Sequence, residues 1–442
     1  MKGQTTADNL ISLAQAADIR FVRLQFTDLF GTVKTVELPV TGLAQACAEG
    51  VLFDGSSIHG FARVEESDMY LCPDTSTWVL LPWLDDASRP LARMICDIKL
   101  PDGSAFAGDP RAILKRAVAD AQVCGLDALT IATELEFFLF PLGNDGQPAL
   151  AVVDHAGYFG NDQQQAAAHC RLDMADALAK LGIPLFGTHH ETAPCQHEID
   201  IAPLPIVQAA DALVTAKIAM RTVAQEHGLY VSWMPKPFGF AGSGLHLRFQ
   251  AKRADMDDFQ DVLRDGNVGC GRRFIAGLLD HAAALTAIAN PLVNSYKRLR
   301  PGSEAPDTPF GRRDIQCRSC VPRWTPTAPC LLNCVPLIRV AIPTWHLPQL
   351  LRRERTASAA AERAPALFES ATAMTEEERF LRSIPRLPVH LDDALTFLEE
   401  DETIRACLGE HALTHYVGAK AAEWEAYSRT IHRWEHEQYL LG

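Results

Sequence analysis

Two glutamates two residues apart, Glu134 and Glu136 in T-E-L-E-F-F-L-F, interrupt a run that is otherwise apolar. Such a run reads as a buried strand, and the period of two along a strand turns both carboxylates to one face. Two carboxylates side by side in low dielectric repel each other and lose their hydration unless a cation joins them. A hard divalent cation, which takes oxygen ligands, is the matching partner. H-H-E-T-A-P-C-Q-H-E-I-D adds Glu191 and Glu198 beside His189, His190 and His197, and G-S-G-L-H adds His246 behind a glycine loop. Each segment alone is also compatible with a solvated strand face or a hydrogen-bonded core histidine. Together they favour a shared metal cluster.

The elements that must hold these residues are readable in outline. Phe21 to Pro39 alternates apolar and polar residues on both sides of Gly31, as a hairpin does. With the later strand A-R-M-I-C-D-I-K-L it makes a small N-terminal sheet domain. Asp109-Pro110 then starts a helix, with a capping Asp and Pro in the first turn, which puts a domain boundary near residue 107. The expected domains are 1–107 and 108–442. In the second, strand-like runs (Ala128 to Phe140, Leu229 to Pro235, Gly244 to Gln250) alternate with amphipathic helices (Pro205 to Gly228, Asn267 to Asn290). Taken alone, that alternation suggests an α/β catalytic domain. The end, A-K-A-A-E-W-E-A-Y-S-R-T-I-H-R-W-E-H-E-Q-Y-L-L-G, reads as one terminal helix.

Composition narrows the function classes. A chain of 442 residues with 48% apolar side chains has material for two or three cores. Its formal net charge of -14 gives neither a nucleic acid nor an anionic membrane surface anything to attract. No signal core and no membrane-length apolar run is present, so the expected location is the cytoplasm. Cys47, Cys72, Cys96, Cys124, Cys170, Cys195, Cys270 and Cys407 are scattered singly, which suits reduced thiols.

The motifs F-D-G-S-S-I-H-G-F-A-R-V-E-E-S-D-M-Y-L-C-P-D, T-E-L-E-F-F, H-H-E-T-A-P-C-Q-H-E-I-D, M-P-K-P-F-G-F-A-G-S-G-L-H and N-P-L-V-N-S-Y-K-R-L-R-P-G stand in this order. Together they resemble bacterial type I glutamine synthetase, in its shorter form. The resemblance runs from about Phe21 to Gly302 and resumes from about Ala360. It implies an α+β fold, with a small N-terminal β-grasp domain and a large catalytic domain of antiparallel strands and helices. It also implies a homo-dodecamer of two hexameric rings, each active site shared between neighbouring subunits. The implied reaction uses ATP and Mg2+ or Mn2+ to phosphorylate the γ-carboxylate of glutamate, after which ammonia displaces phosphate to give glutamine. By motif, Glu136, Glu191 and Glu198 hold one metal, and Glu134 and His246 hold part of a second. Gly242 contacts substrate glutamate through its backbone, and Arg298 binds the charged substrate and phosphoryl group. Asp54, from the neighbouring subunit, binds ammonium and accepts its proton, and Glu304 is the flap carboxylate that keeps water from the intermediate.

Several positions depart from the pattern. Ala241 stands where the family usually has Asn, Arg248 and Gln250 replace His or Asn and Ser on the ATP side, and Cys195 and Ser303 replace Gly and Tyr. These positions bear on amine choice and nucleotide affinity. A γ-glutamyl ligase for an organic amine or polyamine is therefore an alternative, as is a non-catalytic family member.

The largest departure surrounds Cys317, Cys320, Cys330 and Cys334, whose C-x2-C and C-x3-C spacing is also that of a zinc site. There the family continues with Glu-Leu-Arg-Ser-Pro-Asp-Pro, Asn-Pro-Tyr-Leu and an alanine-rich helix. A displaced frame takes the third base of one codon and the first two of the next. Trp345 followed by His346 then forces alanine, Asn333 followed by Cys334 forces leucine, and Cys334 followed by Val335 permits arginine. From Leu332 to Trp345 the codons permit a shifted frame that reads both family motifs, and on to Ser358 one that reads the alanine-rich helix. The expectation is that about Cys320 to Ala359 is translated out of frame between two compensating shifts. A glutamate ligand of the second metal, and arginines for ATP and substrate, go with the displaced segment.

Overall fold

The computed structural model describes residues 7–58, 60, 68–82, 90–123, 128–161, 166–252, 280–300, 310–313, 320–323, 375–381 and 386–440. The N-terminal part is a five-stranded sheet in the order β2-β1-β5-β4-β3. Its strands are β1 (Phe21–Thr27), β2 (Val33–Pro39), β3 (Val51–Asp54), β4 (Asp68–Leu80) and β5 (Leu91–Lys99). β1 and β2 form the expected hairpin, with Gly31 at a φ of 81° that an L side chain rarely adopts. Asp28 fixes the turn, its Oδ1 accepting from the Phe30 and Thr32 N–H groups at 3.0 and 2.8 Å. β1 runs parallel to β5, and the other pairs are antiparallel. Helices α1 (Ala7–Ala16) and α2 (Leu43–Glu49) accompany it, Leu10 and Leu43 joining Val22, Leu24, Met69 and Met94 in one core.

The second part is built on a sheet in the order β10-β6-β8-β7, with β9 also on β6. The strands are β6 (Ala128–Pro141), β7 (Leu185–His190), β8 (Gln196–Pro205), β9 (Leu229–Ser232) and β10 (Leu245–Lys252). Every pair is antiparallel, which corrects the α/β expectation drawn from alternation. The helices here connect strands without forcing them parallel. α3 (Pro110–Val123) begins as expected, with Asp109 Oδ1 accepting from the Arg111 N–H at 2.9 Å. α4 (Ala166–Lys180) and α5 (Ile206–Glu226) bury Met174, Leu178, Leu213, Ala216 and Met220 in one core with Leu135, Phe137 and Leu139. These odd residues of β6 face the helices. The even ones, Glu134 and Glu136, take the other face.

Past α5, the described helices are α6 (Ala282–Ala289), α7 (Glu376–Leu381), α8 (Leu391–Glu400), α9 (Glu402–Leu408), α10 (Glu410–Ser428) and α11 (Arg433–Tyr439). The terminal helix is therefore two helices. Thr430 turns its hydroxyl back onto the Ala426 carbonyl at 2.9 Å, and His432 restarts the chain with a capping box to Glu435. The early part of the expected 267–290 helix and most of the cysteine segment lie outside the described residues. Cys47, Cys72, Cys96, Cys170, Cys195 and Cys407 are free thiols.

One buried cation ties the two parts together. Arg111, on α3, reaches Asp74 on β4 at 2.7 Å, Asp97 on β5 at 2.6 Å and Asp211 on α5 at 2.9 Å. Burial alone raises the Asp74 pKa, but hydrogen bonds from Ser76 and Arg111 outweigh it and hold the group below its ordinary value. Such a depressed carboxyl stabilises the fold above its unfolded value and loses that contribution as pH falls through the folded one. Arg111→Met would leave three acids without their shared cation. The expected loss is about 3–5 kcal/mol by urea unfolding at neutral pH, and a shift within about 0.5 kcal/mol would refute the hub.

Candidate active site

Strand register assembles the acids. β6 pairs with β8 so that Glu136 faces Glu198 and Glu134 faces Asp200, and with β10 so that Glu134 faces His246. β7 then sets His189 opposite Glu198. Glu136 and Glu198 are 7% and 6% exposed.

Glu136 is held on one oxygen. Its Oε2 accepts from Gln196 Nε2 and from the Gly244 N–H, each at 2.8 Å. Gln196 also donates to the Gly242 carbonyl at 3.2 Å and accepts from the Ala193 N–H at 3.1 Å, so one amide ties the acid to both loops. Gly244 has a steric reason to be glycine. A Cβ there would lie 2.8 Å from Glu136 Oε1 and 2.9 Å from Arg298 Nη2. Arg298 is 3% exposed and follows the tight turn Val293–Lys297. Asn294 in that turn clasps the Lys236 backbone, accepting its N–H at 2.7 Å and donating to its carbonyl at 3.1 Å. Burial raises the Glu136 pKa, and the charges of His246 and Arg298 only partly offset it.

Glu191 begins the β7–β8 turn, with its Oε2 on the Thr192 N–H at 2.8 Å and its Oε1 3.7 Å from His189 Nδ1. His189 Nε2 is 3.9 Å from Glu198 Oε1. Among the described residues, His189, Glu198 and Asp200 bring metal-ligating atoms on this face within 4.8 Å of one another. Glu136 and Glu191 stand outside this set, each with one oxygen engaged as described. Asp200 Oδ1 is buried without a hydrogen-bond partner. Burial first, then the adjoining Asp200, Glu136 and Glu191, push the Glu198 pKa far above the carboxylate range. Two carboxylates in contact have no donor between them, so either one keeps a proton or a cation joins them. Carboxylate oxygens with one histidine nitrogen beside them suit a divalent cation.

Glu134 differs. Its Oε2 is 3.1 Å from His246 Nδ1, and its other oxygen pairs with Arg248. Gly242 is buried in the loop before β10. Asp54 sits in the other sheet, at the exposed end of β3, where its Oδ1 accepts from the Ser56 N–H at 2.8 Å. Glu304 lies outside the described residues. Gln196, Asp200 and the pairing of Arg248 were missed by sequence reasoning. E-I-D carries the same two-residue spacing as E-L-E, so the strand rule that found Glu134 and Glu136 also finds Asp200. Tyr158 and Phe159 were missed too, and their rings pack on His189 at centroid distances of 5.6 and 4.7 Å.

A sheet face that crowds carboxylates beside one buried arginine is the equipment of an enzyme that gathers anionic groups around a hard cation. The family model described as "Glutamine synthetase, beta-Grasp domain" matches residues 18–101, and "Glutamine synthetase, catalytic domain" matches 107–325 and 360–439. Glutamine synthetase of Staphylococcus aureus strain MW2 is 37% identical over 456 residues, covering 98% of each chain. That of Staphylococcus epidermidis is 37% identical over 462 residues, covering 99% of each. Among solved structures, ligand-free GmaS superposes with a TM-score of 0.77 at 25% identity, over 98% of this chain and 99% of that one. Plasmodium falciparum glutamine synthetase shares the fold at a TM-score of 0.77 and 21% identity, over 98% of each chain. The chain belongs to the glutamine synthetase family, ligases that form glutamine from glutamate and ammonia with ATP. Its fold is α+β, a β-grasp domain followed by a catalytic domain.

Two outcomes test the geometry. Because its folded pKa is raised, Glu198 stabilises the cation-free fold most below its unfolded value of about 4.3, and that contribution is lost as pH rises toward the folded one. Glu198→Gln should therefore raise the melting temperature in EDTA at neutral pH while reducing the further rise that Mn2+ produces. A lower melting temperature in EDTA would count against the crowding. Gly244→Ala should cut kcat by about 100-fold, as an ångström-scale displacement of Glu136 and Arg298 would, with urea stability nearly unchanged. Wild-type kcat in that variant would dismiss the close approach.

Proposed function

We propose that the chain joins ammonia to glutamate through γ-glutamyl phosphate. The γ-phosphoryl group of ATP passes to the γ-carboxylate; ammonia then attacks that carbonyl carbon and phosphate leaves with the C–O bonding pair. The observation that carries the reading is the register that sets Glu134, Glu136, Glu198 and His246 on one face beside Arg298. Mg2+ or Mn2+ would be held through Glu136, Glu191 and Glu198, and when bound would lower the repulsion between glutamate and the triphosphate. The buried Arg298 guanidinium binds the substrate carboxylate and the phosphoryl group in transfer. The backbone of Gly242 meets glutamate, and Glu304 closes over the intermediate to exclude water.

Asp54 accepts the proton that frees ammonia from ammonium. Its position at the exposed end of β3, in the other sheet from the acids, supports a site completed by a neighbouring subunit. A homo-dodecamer of two hexameric rings in the cytoplasm is the corresponding assembly, with domains at 1–107 and 108–442. The model matches at 18–101 and from 107 support that division.

We infer as well that about Cys320 to Ala359 is out of frame. The catalytic-domain match stops at 325 and resumes at 360, yet the alignment with the Staphylococcus aureus relative spans 98% of both chains. The break in the match coincides with the segment that two compensating shifts would replace. The activity depends on this segment, because the displaced arginines serve the nucleotide and the substrate.

Tryptic mass mapping across 311–362, followed by assay with ammonia and a panel of amines and polyamines, tests the proposal. Peptides carrying the displaced-frame sequence should accompany glutamine synthesis, and Asp54→Asn should lower kcat by about 100-fold. Displaced-frame peptides with turnover of an organic amine but not ammonia would overturn the acceptor. ATP-dependent turnover of neither would move the chain to a binding role.

A further inference from the structure

The resemblance gives Glu134 and His246 to a second metal ion. In the structure these two side chains are joined to each other and to a fixed cation of the chain itself. His246 Nδ1 lies 3.1 Å from Glu134 Oε2, while Arg248 Nη2 pairs with Glu134 Oε1. Arg248 is two residues beyond His246 on β10, so the strand turns both to one face. Among the described residues, two sets of three metal-ligating side chains bring their ligand atoms within 4.8 Å, and neither contains Glu134 or His246.

Glu134 therefore already has a fixed cation of the chain as its partner. A guanidinium is permanently charged, and its planar fork of N–H donors fits carboxylate and phosphate alike. Arg248 is 72% exposed, which leaves part of that fork open to a ligand while one nitrogen stays on Glu134.

We propose that the Arg248 guanidinium takes the place of the second divalent cation, neutralising Glu134 and offering its remaining donors to the phosphates of the nucleotide. The chain then holds a single divalent ion, on the side of Glu198. The nucleotide in this proposal rests on the ligase reading, but the count of ions does not.

The test is titration of the full-length, EDTA-treated and dialysed protein with Mn2+, free ion being read by electron paramagnetic resonance. Binding of ADP is measured separately in EDTA. The wild-type chain should take up about one Mn2+, and Arg248→Ala should gain a second, weaker one. ADP affinity in EDTA should fall about tenfold in Arg248→Ala. Since Arg248 is largely exposed, the variant should fold. Two tightly bound Mn2+ in the wild-type chain, or an ADP affinity that Arg248→Ala leaves unchanged, would overturn the substitution of cation by arginine. Uptake of no Mn2+ would overturn it together with the carboxylate site. One ion bound without glutamine synthesis would uphold it and count only against the ligase reading.

Discussion

Glu134, Glu136, Glu198 and Asp200 stand on alternate rungs of one antiparallel ladder, and their repulsion in a largely dry setting dictates what the surrounding structure must supply. Positive charge arrives from two directions, Arg298 from the turn after α6 and Arg248 from β10, and His189 on β7 brings a ring nitrogen to 3.9 Å from Glu198. Neutral donors do the rest, since Gln196 and the Gly244 N–H satisfy one oxygen of Glu136 without cancelling its charge. What remains uncompensated lies around Glu198 and Asp200. That residue of negative charge is the basis for a cation and for anionic substrates bridged by it.

A second cluster shows that ligand spacing alone does not make a metal site. Asp154, His190 and His197 are buried with ligand atoms within 4.8 Å. Arg171 Nη1, however, is 2.7 Å from His197 Nδ1, and a guanidinium only donates. His197 Nδ1 must accept, so Nε2 carries the hydrogen and faces Asp154 at 3.6 Å. His190 uses Nδ1 on the Glu191 carbonyl at 2.6 Å. Burial, then Arg171 and His190, drive the His197 pKa down and keep that ring neutral. The acid is already shared by the two histidines and the Ala156 N–H, and the cluster links β7 and β8 beside Glu191 and Glu198.

Features set by short-range periodicity were legible in the sequence. The β1–β2 hairpin, the start of α3 and the common face of Glu134 and Glu136 all follow from neighbours a few residues apart. Features set by pairing across the chain were not. The antiparallel order β10-β6-β8-β7 joins segments separated by helices, and alternation of helix and strand does not encode strand direction. Arg248 was visible as an unusual residue, but its partner depends on the register that sets His246 against Glu134. Arg171 and Asp154 carry no motif of their own. The break in the terminal helix turns on one threonine's back-bond, which propensity summed over a long helical run does not resolve.

The β7–β8 turn shows how tightly the acidic face is specified. Cys195, where the family usually has glycine, holds a φ of 61° that costs a non-glycine residue roughly 1–2 kcal/mol. The strain persists because the position is fixed from every side. Its N–H donates to the Asp154 carbonyl at 3.1 Å, the preceding Ala193 carbonyl accepts from Gln196 N at 3.1 Å, and Glu191 N donates to the Gln196 carbonyl at 2.8 Å. Its side chain is buried with Phe138 and Phe140, which come from the strand that carries Glu136. A glycine would relax the backbone but empty that contact. The turn holds Glu191 and Gln196 in place either way, because hydrogen bonds to a buried acid and to the neighbouring strand define it more strongly than the residue at its tightest point.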